Sequence, residues 1–148
     1  MPDVVGPFPA AALFSKKPKD KSMILIADDD SDFAENCSMM LESHGYEVKV
    51  VPNGAQALDR ISSRQPELLI SDCSMPGMSG LELSTQLRTS AAAKDLPILL
   101  MSGSLQCQVA PGKSYDAFLR KPFLAEDLLL QVRKLLQRSD GAAHKGHT

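Results

Sequence analysis

The chain has 148 residues, 43% of them hydrophobic and 23% charged, with a formal net charge of −2. That suits one domain with a sizeable core, and the near-neutral balance argues against a general nucleic-acid binder. Cys37, Cys73 and Cys107 are widely spaced and odd in number, so no zinc pattern appears and the count argues against a disulfide framework. No apolar run approaches the roughly 20 residues of a membrane span. The early stretch "VVGPFPAAALF" is broken by Pro7 and Pro9 and followed, rather than preceded, by lysines, so it does not read as a secretory signal. These features predict a cytoplasmic protein in a reducing compartment, with no membrane contact.

Residues 1–21 carry four prolines and the cluster "KKPKDK" and read as a flexible arm. Residues 22–138 then alternate between strand and helix patterns. "MILIA" is a strand-length apolar run, buried on both faces. "SDFAENCSMMLESHG" places Phe33, Cys37, Met40, Leu41 and His44 at helical spacing, with Gly45 as its stop. Asp32 and Glu35 resemble a capping box. "YEVKVV" alternates as a strand does, and "GAQALDRISSRQ" is a helix ended before Pro66. "ELLISD" is a second apolar strand that runs into an acid. "GLELSTQLRTSAAAK" is helical, "PILLMS" is another buried strand and "DAFLRK" a short one stopped by Pro122. Between the last two, Gly103 and Pro111-Gly112 confine any helix to Ser104–Ala110, about two turns. "LAEDLLLQVRKLLQR" is the strongest helix, with Leu124, Leu128, Val132, Leu135 and Leu136 on one stripe. Residues 139–148 read as a flexible tail.

Strands alternating with helices predict a doubly wound parallel α/β sheet: five strands, helices on both faces and a shortened fourth helix. In such sheets the functional site lies at the carboxyl ends of the strands. The residues there are Asp28, Asp29 and Asp30 after the first strand, Asp72 after the third, Ser102 and Gly103 after the fourth, and Lys121 and Pro122 after the fifth. Clustered carboxylates suit a hard divalent cation such as Mg2+. An ammonium and a hydroxyl beside them suit a transferred phosphoryl group, and a carboxylate in that setting can be its nucleophile.

The pieces "ILIADD", "LLISDCSMPGMSG", "LPILLMSG" and "AFLRKPF", in that order, resemble the receiver domain of two-component response regulators, with the flavodoxin-like fold. The resemblance implies a phosphorylation-dependent signalling switch rather than a turnover enzyme. It implies Asp72 as phosphoacceptor, and Asp28 and Asp29 as the acidic pair that holds Mg2+ (or Mn2+) together with Asp72 and the backbone carbonyl of Ser74. It further implies Ser102 as the hydroxyl that binds the phosphoryl group, Lys121 as its lysine and Phe118 as the aromatic switch residue. The Lys121-Pro122 bond is expected to be cis. A sensor histidine kinase or a phosphotransfer protein would be the donor. Only "SDGAAHKGHT" follows Arg138, so the expected output is contact with a downstream protein or onward phosphotransfer, with no direct nucleic-acid partner.

Each residue also has a plainer reading. Asp30 and Asp32 are explained by a helix N-terminus, where negative charge is favourable. A calcium loop beginning at Asp28 would need glycine at its sixth position and glutamate at its twelfth, where Phe33 and Met39 stand. Cys73 reads as a buried small residue rather than a redox sensor. A haloacid dehalogenase-type phosphatase would want a second Asp two residues after the nucleophile, where Ser74 stands. A flavin-binding flavodoxin-like module would want a Ser/Thr/Gly-rich phosphate loop where "DDDSD" stands.

Overall fold

The computed structural model describes residues 22–103 and 114–145, the last eight of these by backbone alone. In chain order the elements are β1 (Met23–Ala27), α1 (Ser31–Ser43), β2 (Glu47–Val51), α2 (Gly54–Ser63), β3 (Leu68–Asp72), α3 (Gly80–Arg88), β4 (Ile98–Ser102), β5 (Ala117–Arg120) and α4 (Ala125–Lys145). The arm, the short helix expected over Ser104–Ala110 and the last three residues fall outside the described residues.

β1 carries apolar side chains on both faces, and alternate residues of a strand point to opposite sides, so it needs cover on both. The fold supplies it. The strands form one five-stranded parallel sheet in the order β2-β1-β3-β4-β5. Ile24 and Ile26 face a cluster with Ala34, Cys37 and Leu41 of α1 and Leu128, Val132 and Leu135 of α4. Leu25 and Ala27 face the other cluster, with Ala57 and Ile61 of α2 and Leu83 and Leu87 of α3. All five residues of β1, β3 and β4 are buried. At about 1.5–3 kcal/mol per fully buried large apolar side chain, these three strands and their helical cover supply most of the folding drive.

Helix ends follow local chemistry. Asp30, not Asp32, caps α1: its carboxylate accepts the Phe33 backbone N–H at 3.1 Å, which leaves Asp32 in the first turn and replaces the expected Asp32/Glu35 box. Asn53 caps α2 through the Gln56 N–H at 2.8 Å. Ser79 and Glu82 form a reciprocal capping box on α3. At the end of α1 the chain turns through Gly45 at φ +95°, a conformation that favours glycine.

Three sequence expectations change. α3 stops at Arg88 instead of continuing through Lys94. Thr89 bonds the Gln86 carbonyl with both its N–H and its hydroxyl, and Ser90 N–H bonds Leu87 O. The helix-forming alanines beyond are drawn into turns that bury Ala93 and Leu96. α4 runs on to Lys145, past the expected end at Arg138. Leu124 is 64% exposed and lies before α4, so it is not part of the buried stripe.

Arg88 then joins three elements. Its guanidinium donates to the carbonyls of Lys94 (2.9 Å) and Leu96 (2.8 Å) and to Asp116 Oδ2 (2.9 Å). The same Asp116 oxygen accepts the Ile98 N–H at 2.8 Å, tying the starts of β4 and β5 together. Arg88→Ala and Asp116→Ala should each lower stability by about 1–3 kcal/mol, because each strands partly buried polar groups. Urea unfolding of the double variant should show a loss smaller than the sum, the signature of one shared network.

Candidate functional site

Strand order makes the site. β1 and β3 are neighbours, but the chain leaving β1 turns to β2 on one side and the chain leaving β3 turns to β4 on the other, so a crevice opens at their carboxyl ends. Ala27 pairs with Ser71, so Asp28 and Asp72 are the next residues on adjacent strands. Asp72 pairs in turn with Met101, and Ser102 with Arg120. Backbone hydrogen bonds carry the ladder past the strand ends: Asp28 N–H to Val51 O (3.0 Å), Cys73 N–H to Met101 O (2.8 Å) and Lys121 N–H to Ser102 O (2.9 Å). Lys121-Pro122 is cis.

The side chains meet accordingly. Lys121 Nζ lies 3.2 Å from Asp28 Oδ2 and 3.3 Å from Asp72 Oδ1. Asp28 is buried, and its other oxygen accepts the Asp30 N–H at 3.0 Å. Burial, then repulsion from Asp28, raises the Asp72 carboxyl above the usual carboxylate range, with Lys121 partly offsetting the shift. For Lys121 burial acts downward, but the attraction of Asp28 and Asp72 prevails and its ammonium is held above the ordinary lysine value. Ser102 is buried at the end of β4. Phe118, half-buried beside Leu100, packs on the cluster under α2 and α3.

One oxygen from each of Asp28, Asp29 and Asp72 can lie within 4.8 Å of the other two. Asp28 and Asp72 are buried, and Asp29 is exposed. Three carboxylates against one ammonium leave an excess of negative charge. An all-oxygen donor set with one exposed member fits a hard divalent cation that keeps part of its water shell. Ser74 follows in the exposed loop after β3. From Asp29 a groove of about 1040 Å³ runs between the starts of α2 and α3, past Asn53, Pro76, Met78 and Leu81.

Several features escaped the sequence reading. Gly80 sits where a Cβ would fall on the Asp72 carbonyl oxygen, and its N–H donates to Cys73 O at 2.9 Å. The last glycine of "LLISDCSMPGMSG" therefore lets α3 start against the backbone of the acidic strand. Phe33, legible only as part of a helical stripe, lies with its ring centroid 4.1 Å from Lys121 Nζ. Cys73 is buried as expected, but it is disulfide-bonded, against the expectation from cysteine number and spacing of a reducing compartment without disulfides. Cys37 is a free thiol that burial pushes up to about 11, so it stays protonated. Cys107 lies outside the described residues.

A parallel sheet of this order, with an acidic crevice and a lysine at its carboxyl end, is a flavodoxin-like receiver architecture. The family model for the response regulator receiver domain matches residues 24–133, and the chain belongs to that family of phosphorylation-dependent signalling modules. Response regulator MprA of Mycobacterium avium is 40% identical over 119 residues, 78% of this chain and 51% of that protein. The chain thus spans about half the length of the curated relatives it matches. A putative response regulator from Chloroflexus aurantiacus superposes with a TM-score of 0.75 at 32% identity, over 79% of this chain and 98% of that one. TrrA from Thermotoga maritima, solved in complex with Mg(2+)-BeF, gives a TM-score of 0.71 at 31% identity, over 77% and 98%. Neither the phosphatase nor the flavin-module reading finds support. Among the described residues no helix is long and apolar enough to cross a membrane.

Three outcomes test this geometry. Gly80→Ala should cost about 2 kcal/mol or more in urea unfolding, because the added carbon meets backbone that cannot swing aside. Gly103→Ala, whose Cβ would find only Lys121 Cβ at 4.0 Å, should be nearly neutral. Asp72→Asn should raise the metal-free melting midpoint at neutral pH. The Asp72 pKa is higher folded than unfolded, so its ionisation weakens the fold as pH rises through that window. The gain should therefore vanish on acidification, when the carboxyl is protonated in both states.

Proposed function

We propose that Asp72 accepts a phosphoryl group from a sensor histidine kinase or a phosphotransfer protein. The observation that carries this reading is Lys121 bridging Asp28 and Asp72, two members of a cluster of three carboxylates. An Asp72 oxygen attacks the donor phosphorus. The bond from phosphorus to the donor's imidazole nitrogen breaks, and its electron pair stays on that nitrogen. Negative charge builds on the phosphoryl oxygens during transfer, and fixed positive charge beside them lowers the barrier. Lys121 is that charge: it pairs with the Asp72 carboxylate first and with a phosphoryl oxygen afterwards. Asp28, Asp29, Asp72 and the Ser74 carbonyl would hold Mg2+ (or Mn2+), which supplies further charge neutralisation when bound. The Ser102 hydroxyl binds the new phosphoryl group, and Phe118 follows it inward. In this way a local charge event biases a two-state surface. In this reading the module catalyses only its own phosphorylation and dephosphorylation. It works in the cytoplasm and passes its signal to a downstream protein, by contact or onward phosphotransfer, without touching nucleic acid.

The test is incubation with a small-molecule phosphodonor and Mg2+, read by intact mass. One phosphoryl group should be added, Asp72→Asn should abolish it, and Lys121→Ala should slow it by about 100-fold or more. Labelling that survives Asp72→Asn, or that proceeds equally in a chelator, overturns the assignment.

A further inference from the structure

Lys121 is held on three sides, and the third side is aromatic. Asp28 and Asp72 take the ammonium at 3.2 and 3.3 Å. The Phe33 ring covers it at 4.1 Å from Nζ to the centroid. That ring is itself braced. Phe123 meets it edge-on, with centroids 5.7 Å apart and planes at 77°. Its backbone is fixed by the Asp30 cap on the Phe33 N–H. Phe123 lies two residues beyond Lys121, so the lysine and the brace of its aromatic wall come from one short segment at the end of β5.

An ammonium has three N–H bonds and a long flexible stem. Two carboxylates occupy two of the bonds. Exposed to water, the third would favour swinging the side chain outward, because Lys121 keeps about 20% of its side-chain surface exposed. A π face attracts the cation while offering no fixed acceptor atom. It therefore holds the ammonium in the crevice without dictating which oxygen it bonds. Such a neighbour suits a lysine that exchanges a carboxylate oxygen for a phosphoryl oxygen. A carboxylate at that place would compete for it, and an aliphatic side chain would not hold it.

We infer that Phe33 is a positioning residue for Lys121, keeping its ammonium between Asp28 and the phosphoryl position at Asp72 through the face of its ring. This deepens the proposed phosphoryl-acceptor function and rests on it. The bland alternative is that Phe33 only fills space, since it also packs on the cluster under α1 and α4.

The experiment has two arms on the full chain. In the first, nuclear magnetic resonance reads the Hε protons of Lys121. They should be displaced upfield by the Phe33 ring current, and the displacement should disappear in Phe33→Leu and persist in Phe33→Tyr. In the second, the rate of labelling from a small phosphodonor with Mg2+ is compared among the same variants. Phe33→Leu should be slower by about 5–10-fold, within the range for a partly desolvated cation–π contact, and Phe33→Tyr should restore the rate. In a Lys121→Met background Phe33→Leu should cause no further slowing. If Phe33→Leu does not fold, Phe33→Met serves in its place with the same expectations. A wild-type spectrum without the upfield displacement overturns the inference, as does Tyr behaving like Leu or slowing that persists without the lysine. Failure of the wild type to be labelled at all would instead remove the phosphoryl-acceptor reading, and the resonance arm would still decide the placement of Lys121.

Discussion

The contact of Lys121 with Asp28 and Asp72 is the constraint around which the molecule is arranged. Two like charges about 4 Å apart repel by roughly 4 kcal/mol at an effective dielectric near 20. That is a sizeable share of the ~5–15 kcal/mol by which a domain of this kind is stable. Asp28 and Asp72 are nonetheless both buried. One ammonium reaching both makes the pair tolerable, yet it leaves excess negative charge at Asp29, on the exposed side. The site is thus held together at a deficit of positive charge. A cation can act on it because its native balance is incomplete.

Geometry at the strand ends turns that tension into a defined place. Parallel register sets Asp28 beside Asp72, and one further backbone bond after each of β1, β3 and β5 holds the next residue. Around this frame the helix starts are capped by their own side chains: Asp30 for α1, Asn53 for α2, and Ser79 with Glu82 for α3. The caps satisfy the first turns locally. Gly80 lets α3 begin in contact with the Asp72 carbonyl. Function and fold meet at that point, because the turn that ends the acidic strand is also the turn that starts a core helix.

The two faces of the sheet contribute differently. The face of α1 and α4 carries Phe33, Phe123 and Cys37, close under Lys121 and Asp28. The face of α2 and α3 carries Phe118, Met75 and Met78, and the open groove that starts at Asp29. One side confines the lysine, and the other leaves space beside the exposed carboxylate. The Arg88–Asp116 network fastens the amino end of β4 and β5.

The sequence by itself determined the alternation of elements, because "MILIA", "LLISD" and "ILLMS" are apolar runs broken only at their carboxyl ends and their helices carry a period near 3.6. It also placed Asp28, Asp29, Asp72, Ser102 and Lys121 at one end of the sheet, since parallel strands put all their carboxyl ends on the same edge. It misjudged what depends on competition between local and distant partners. Ala91, Ala92 and Ala93 favour helix, yet Arg88 and the buried Ala93 and Leu96 bend them into turns. Asp32 and Glu35 match a capping pattern, but Asp30 stands two residues closer to the chain entry and accepts the Phe33 N–H. Phe33 over Lys121, the clash that reserves position 80 for glycine, and the bond at Cys73 were beyond its reach. Periodicity reports which face a residue occupies. Only tertiary structure decides which distant group meets it there, because that depends on strand order, register and the angle at which each helix leaves its strand.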